Sequence, residues 1–135
     1  LSKLIPLSRR ILAYIWASPY TLLGVTIGLL LGGQFRWFEG VIEIHSRRIA
    51  NLLEGLWVPA MALTLGHVVF GHDGDALEMT RVHERVHVRQ YERWGPAFVP
   101  AYLIYWWLLQ RRGQDGYREN PFEIEAYEAD TPQWH

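Results

Sequence analysis

Residues 81–94 read RVHERVHVRQYERW and hold His83, Glu84 and His87 in the order His-Glu-x-x-His. On a helix, positions i and i+4 lie on one face a turn apart, so His83 and His87 can offer two imidazoles to one metal ion. Glu84 is rotated by about 100° from His83, within reach of a water held by that ion without being a ligand itself. Zinc lowers the pKa of bound water towards about 7, and a glutamate so placed can take its proton. The same three fixed positions also arise by chance on a charged helix, so the motif needs a third ligand, a reachable geometry and a cleft.

A catalytic zinc usually takes three protein ligands and a water. The downstream candidates are Glu119, Glu123, Glu125, Glu128, Asp130 and His135. Glu123 lies in EIEAY, 123–127, where the small Ala126 permits close approach to the 83–87 helix. It also stands three residues after Asn120, the partner position of a capping box, so two roles compete for one carboxylate. Arg81, Arg85 and Arg89 follow an i, i+4, i+8 line and read as a solvent or headgroup stripe. Met79, Val82, Val86 and Tyr91 are expected on the histidine side, which turns the imidazoles towards the apolar body. An unpaired imidazole pair there is costly, which favours a ligand role.

The positioning elements read as follows. GVIEIHS, 40–46, alternates with period two as a strand does, and 47–57 reads as a short amphipathic helix or turn. Residues 60–75 read as a strand pair or one bent strand, with a bulge at Gly66 and a turn at GHDGD. Residues 76–94 read as one helix ending at Gly95-Pro96. Asn120 and Pro121 fit the N-cap and first position of a final helix over 120–130.

Two uncharged runs complete the chain. Residues 11–33 contain no charge and are long enough to cross a bilayer core of about 30 Å. Pro19 is expected to kink this run or split it into a hairpin. A buried core helix and a signal peptide are the alternatives. Lys3, Arg9 and Arg10 precede it, while Arg36, Arg47 and Arg48 follow; the nearer group favours a cytoplasmic N-terminus but leaves the membrane side of the domain open. Residues 97–109 form the second run, and Trp106 and Trp107 beside Arg111 and Arg112 look like an interface anchor, or ordinary core.

The bulk numbers agree with one domain: 135 residues, half of them apolar, with seven Trp. A net charge of −1 gives no sign of a nucleic-acid partner. The absence of cysteine excludes disulfides, thiolate zinc sites and cysteine nucleophiles. The first residue is Leu, so the chain is expected to be trimmed, processed or incomplete at its start. There is no internal repeat or low-complexity stretch.

With these residues in hand, the sequence resembles the gluzincin metallopeptidases. HERVH looks like the first motif of that family and EIEAY like its second, Glu-x-x-Ala-Asp. The resemblance implies His83, His87 and Glu123 as zinc ligands and Glu84 as general base. Tyr127 stands where the family commonly has an Asp that supports a metal-binding His. TLGHVVFG, HERVHVRQYERWGPAFVPAYL and YRENPFEIEAY are similar to short bacterial membrane-associated proteins of the minimal-gluzincin type, a likeness covering about residues 12–127. It implies a bacterial inner-membrane location, a small sheet packed on the HExxH helix, and substrate lying along an edge strand, best matched by residues 60–70.

The expectation is therefore an α+β, zincin-like domain over 37–135, carried by a membrane anchor segment, helix or hairpin, over 1–36. It would be a Zn2+-dependent peptidase that meets the lipid bilayer and a peptide or protein substrate. His67, Tyr117 and Tyr127 are candidate oxyanion donors, each with a structural alternative. The rival is a non-catalytic accessory subunit on the same scaffold, buried among other membrane-protein subunits. One ion cannot hold ligands across a bilayer, so residues 83 and 123 share a side and 97–109, about 20 Å as a helix, does not span.

Overall fold

The uncharged N-terminal run forms a single helix, α1, Leu7–Leu30, and not a hairpin. Pro19 sits inside it and cannot donate to the carbonyl of Ile15 one turn back. The Ser18 hydroxyl donates to that carbonyl instead, at 2.7 Å, so the helix continues. In this computed structural model, residues 7–56 and 60–130 are described; Lys3, Trp57 and His135 lie outside them.

A four-stranded mixed sheet packs against α1. Its strands are β1 (Gln34–Phe38), β2 (Val41–His45), β3 (Ala62–Leu65) and β4 (Val68–Gly71), in the order β1-β2-β4-β3. Only β2 and β4 are parallel, with Ile44 beside Phe70; the crossover between them contains α2, Arg47–Glu54, capped by Ser46 on the amide of Ile49. Residue 36, the expected end of the anchor segment, lies inside β1. That strand pairs with β2 through a two-residue turn in which Glu39 (φ 48) and Gly40 (φ 84) are both left-handed, the type I′ pattern. Gly66 marks the β3–β4 hairpin turn rather than a bulge, with φ 60 at the first central position.

α1 meets this sheet through small residues. Ala17, Thr21, Gly24 and Gly28 recur at intervals of four and three, as one helix face requires. A Cβ on Gly24 would stand 2.9 Å from Val68, and one on Gly28 2.7 Å from Ile44. Thr21 also accepts from the amide of His67 at the hairpin tip. The inner face of α1 is thus core, while Leu12, Ile15, Leu22, Leu23, Leu29 and Leu30 on its other sides are exposed. Among the described residues, α1 is the one helix long and apolar enough to cross a membrane, a property that a signal sequence or a soluble core helix can share.

The opposite face of the sheet is covered by α3 (Gly74–Met79) and α4 (Arg81–Trp94), where Val41 and Val69 pack with Leu77 and Val88. The expected single helix over 76–94 is therefore two. Asp73 caps α3, and Thr80 ends it by donating its hydroxyl to the Ala76 carbonyl while its own carbonyl accepts from Glu84. A 3-10 turn at Gly95–Ala97 leads into α5, Phe98–Arg111, and α6, Pro121–Asp130, returns against α4. Asn120 caps α6 as expected, its Oδ1 accepting from the amide of Phe122. The helices before and after α5, α4 and α6, therefore pack together, and the 14 residues of α5 rise about 21 Å. Trp106 is packed on Gly116, whereas Trp107 is half exposed under the Arg111 guanidinium, 4.9 Å from the ring centroid.

Candidate metal centre

The motif lies in the first two turns of α4, and His83, Glu84 and His87 are all buried. Each offers a ligand atom within 4.8 Å of the others, a grouping able to hold a metal ion. The α4–α6 contact brings Glu123 to the same place. Its Oε1 lies 3.2 Å from Nε2 of His83 and 3.0 Å from Nε2 of His87. The competition for Glu123 is thereby decided: its carboxylate turns to the imidazoles, and Asn120 caps α6 without it. Glu125 instead accepts from Gln90 and Arg93. Glu119 and Glu128 are exposed, and His135 and the Asp130 side chain lie outside the described residues.

The surroundings aim these groups. The fully buried amide of Gln90 donates to two pure acceptors, the Phe122 carbonyl and the Glu125 carboxylate, which fixes its oxygen towards Nδ1 of His87 at 2.8 Å. Nδ1 of His87 therefore carries a proton and donates, leaving Nε2 for a ligand. Tyr102 of α5 donates to Oε2 of Glu123 at 2.7 Å, leaving Oε1 for the histidines. Thr64 of β3 donates to Oε1 of Glu84 at 2.8 Å, and the other oxygen of Glu84 lies 3.7 Å from Nε2 of His83.

Charge in the site is unbalanced. Two carboxylates face the histidines, and among the described residues no Arg or Lys lines the apolar cavity beside them. Burial raises the pKa of Glu84 above the ordinary range, and the adjacent imidazoles only partly oppose it. Burial also works against an ionised Glu123, but hydrogen bonds from His83 and His87 outweigh it and hold its pKa at about 2. Burial disfavours a charged His87, and Glu123 overrides that and raises its pKa to about 9. Without a metal, then, a proton on His87 supplies positive charge that a cation can replace. The donor set, two nitrogens and carboxylate oxygen, fits a zinc-type ion.

The group opens on an apolar cavity of about 520 Å³ between the edge strand β3 and α5. Tyr117 lines it, and its hydroxyl lies 2.8 Å from that of Tyr127, whose ring stacks edge-on against His83 at 4.5 Å. His67 is elsewhere. Its Nε2 pairs with Glu92 at 2.7 Å and its ring stacks on Tyr14 at 3.9 Å, so the hairpin tip points it at α1 rather than at the cavity.

Two other expectations change. Arg81 and Arg85 are not a free stripe: they hold the buried Glu43 of β2, Arg81 through two hydrogen bonds of 2.9 and 3.0 Å. Met79 and Val82 are exposed, so only Val86 and Tyr91 of the four expected inward residues are buried. Gln90, Thr64 and Tyr102 were not singled out from sequence. Gln90 had a signal, its i+3 spacing from His87, whereas Tyr102 lay in a run read only as apolar. No protein-family model, curated protein or solved structure matches this chain, so its functional reading rests on these residues.

Proposed function

We propose that this chain is a membrane-associated, zinc-dependent peptidase of zincin-like fold. The observation that carries the reading is the convergence of His83, His87 and Glu123 beside a separate buried carboxylate, Glu84, at the end of a cavity. His83, His87 and Glu123 would hold the ion. Bound zinc supplies Lewis acidity, which lowers the pKa of water and polarises a carbonyl.

The chain's own residues do the rest. Glu84 takes the proton from the attacking water and passes it to the leaving nitrogen. One water is consumed, one C–N bond breaks, and a carboxylate and an amine are formed. Burial makes Glu84 a stronger base than an exposed carboxylate, and Thr64 fixes one of its oxygens. Tyr102 and Gln90 keep Glu123 and His87 in place. The outer edge of β3 would offer backbone groups to an extended substrate, as in strand addition, apart from the Thr64 carbonyl, which accepts from the Tyr91 hydroxyl. Tyr117 and Tyr127, whose hydroxyls bond each other beside His83, would donate to a developing oxyanion. The exposed apolar faces of α1 and α5 meet lipid, with Trp107 and Arg111 at the interface.

The test is metal content and peptide hydrolysis of the full chain in detergent or lipid. One zinc per chain is expected, with hydrolysis lost in Glu84→Gln. A wild-type chain that takes up no zinc on titration, or a Glu84→Gln variant that cleaves as well as wild type, would defeat the proposal.

A further inference from the structure

The candidate centre has two openings of different chemistry. The cavity of about 520 Å³ is walled along α5 by Phe98, Val99, Tyr102, Leu103 and Trp106, and among the described residues its only acids are Glu84 and Glu123 of the centre itself. A second space, of about 850 Å³, adjoins it and is lined by Thr80 of the α3–α4 junction and by Asp115 and Arg118 of the loop before α6. Ala60, Ala62, His83, Glu84 and Tyr117 line both, so the reacting carboxylate stands where an apolar channel meets a more polar groove.

The apolar opening has apolar lips. Leu63 of β3 and Leu103 of α5 line the cavity and yet are 36% and 54% exposed. Beyond Leu103 the same helix exposes Ile104, Trp107 and Leu108, so α5 is apolar both towards the cavity and away from it. A wholly polar ligand would leave the α5 wall uncovered, and a wholly apolar one would make no use of the exposed Asp115–Arg118 side, where the amides of Tyr117 and Arg118 hold the Asp115 carboxylate.

We propose that the site selects a polypeptide at a junction between an apolar and a polar stretch, of the kind found where a membrane-inserted segment emerges into water. The apolar residues enter between Leu63 and Leu103, and the polar continuation leaves past Asp115 and Arg118. Water for hydrolysis reaches Glu84 from the polar side. The inference rests on the hydrolytic reading above for what happens to the bound chain, but not for which chain is bound.

The experiment uses the full chain, zinc-loaded, in phosphatidylcholine nanodiscs. Glu84→Gln binds without cleaving, and affinity is read by fluorescence anisotropy over that of empty discs. One labelled peptide joins an apolar half to a charged half; a second is charged throughout. The junction peptide is expected to bind about 10- to 100-fold more tightly, the worth of burying a leucine-sized side chain. Adding Leu103→Asp should remove most of that preference. Ile104→Asp, on the same helix but not lining the cavity, should leave it intact. Equal affinity for the two peptides, no binding of either, or equal effects of the two Asp variants would overturn the proposal. Selective binding with no cleavage by wild type would sink the hydrolytic reading and leave this one standing. Cleavage of both peptides without preference would do the reverse.

Discussion

Helix α4 carries two buried polar constellations, and they are built differently. On one side Glu43 reaches it from β2 and is gripped by Arg81 through a two-bond fork, with Arg85 at 3.4 Å and the Phe38 ring under the Arg81 guanidinium at 3.8 Å. Burial works against an ionised Glu43, but Arg81 outweighs it and holds the pKa below the ordinary range. On the other side His83, Glu84, His87 and Glu123 meet with two carboxylates, and no Arg or Lys among the described residues lines the apolar cavity in front. In the first cluster the carboxylate meets two guanidinium groups, and Arg85 also donates to the Phe38 and Glu39 carbonyls. The second has ligands to spare and room beside them. A matched pair positions elements, whereas an unmatched one facing a cavity awaits a charge from outside.

That contrast predicts opposite phenotypes. Glu84→Gln should lower kcat by about 10²- to 10⁴-fold, the usual worth of a general base. It should leave zinc content unchanged and thermal stability equal or higher, because a neutral amide replaces a carboxylate whose pKa burial had raised. Calorimetry showing a large loss of stability would move Glu84 into the structural class. Glu43→Ala should show the mirror image. It removes the two-bond fork of the Arg81 guanidinium and leaves Arg85 only the Phe38 and Glu39 carbonyls, at about 3 kcal/mol, with little change in zinc affinity of the folded fraction. Denaturant unfolding and zinc titration together check both halves of that statement.

Gln90→Met tests the support of His87 at nearly constant volume. Zinc affinity should fall about 10- to 100-fold, as when the partner of a metal-binding imidazole is removed. Competition with a chromogenic chelator measures it; an unchanged constant would mean that Gln90 only packs.

The smallest expected effect is in pH. In the metal-free protein the raised pKa of His87 contributes stability that is complete below the ordinary value of 6.5 and is lost as pH rises through about 9. The depressed pKa of Glu123 contributes stability present above 4.5 and lost as pH falls towards about 2. Glu43 behaves as Glu123 does on the acid side, but its arginines stay charged, so its cluster is unaffected between pH 7 and 9. The melting temperature of the metal-free chain should therefore decline from pH 6.5 to 9.5. The zinc-loaded chain should show no such decline, because the ion takes the place of the proton on His87. Parallel declines in the two forms would place the titrating group outside the centre.

Local pattern made some of this legible. His83 and His87 share a face because a helix repeats every 3.6 residues, and Asn120-Pro121 starts a helix because that pair suits its first turn. The apolar run ending near residue 33 announced a long helix, though not that Ser18 would take the carbonyl freed by Pro19 and keep it unbroken. The β1 strand was missed because Glu39-Gly40 lacks the Asn or Asp that usually marks a type I′ turn, and because most of its side chains are exposed.

What the sequence by itself determined was the presence of two imidazoles and a glutamate on one turn, an α+β architecture, and an apolar N-terminal helix. Those are properties of short spans, set by helix and strand repeat and by composition. Only the tertiary structure decided that Glu123 turns to the histidines rather than to its own cap, that Arg81 and Arg85 face Glu43 rather than solvent, and that His67 faces Tyr14 rather than the cavity. In each case the same side chain had two partners within reach of its type. The choice followed from which element, α6 on α4, β2 on α4 or α1 on the hairpin tip, was brought within a few ångströms by packing of residues far apart in the chain.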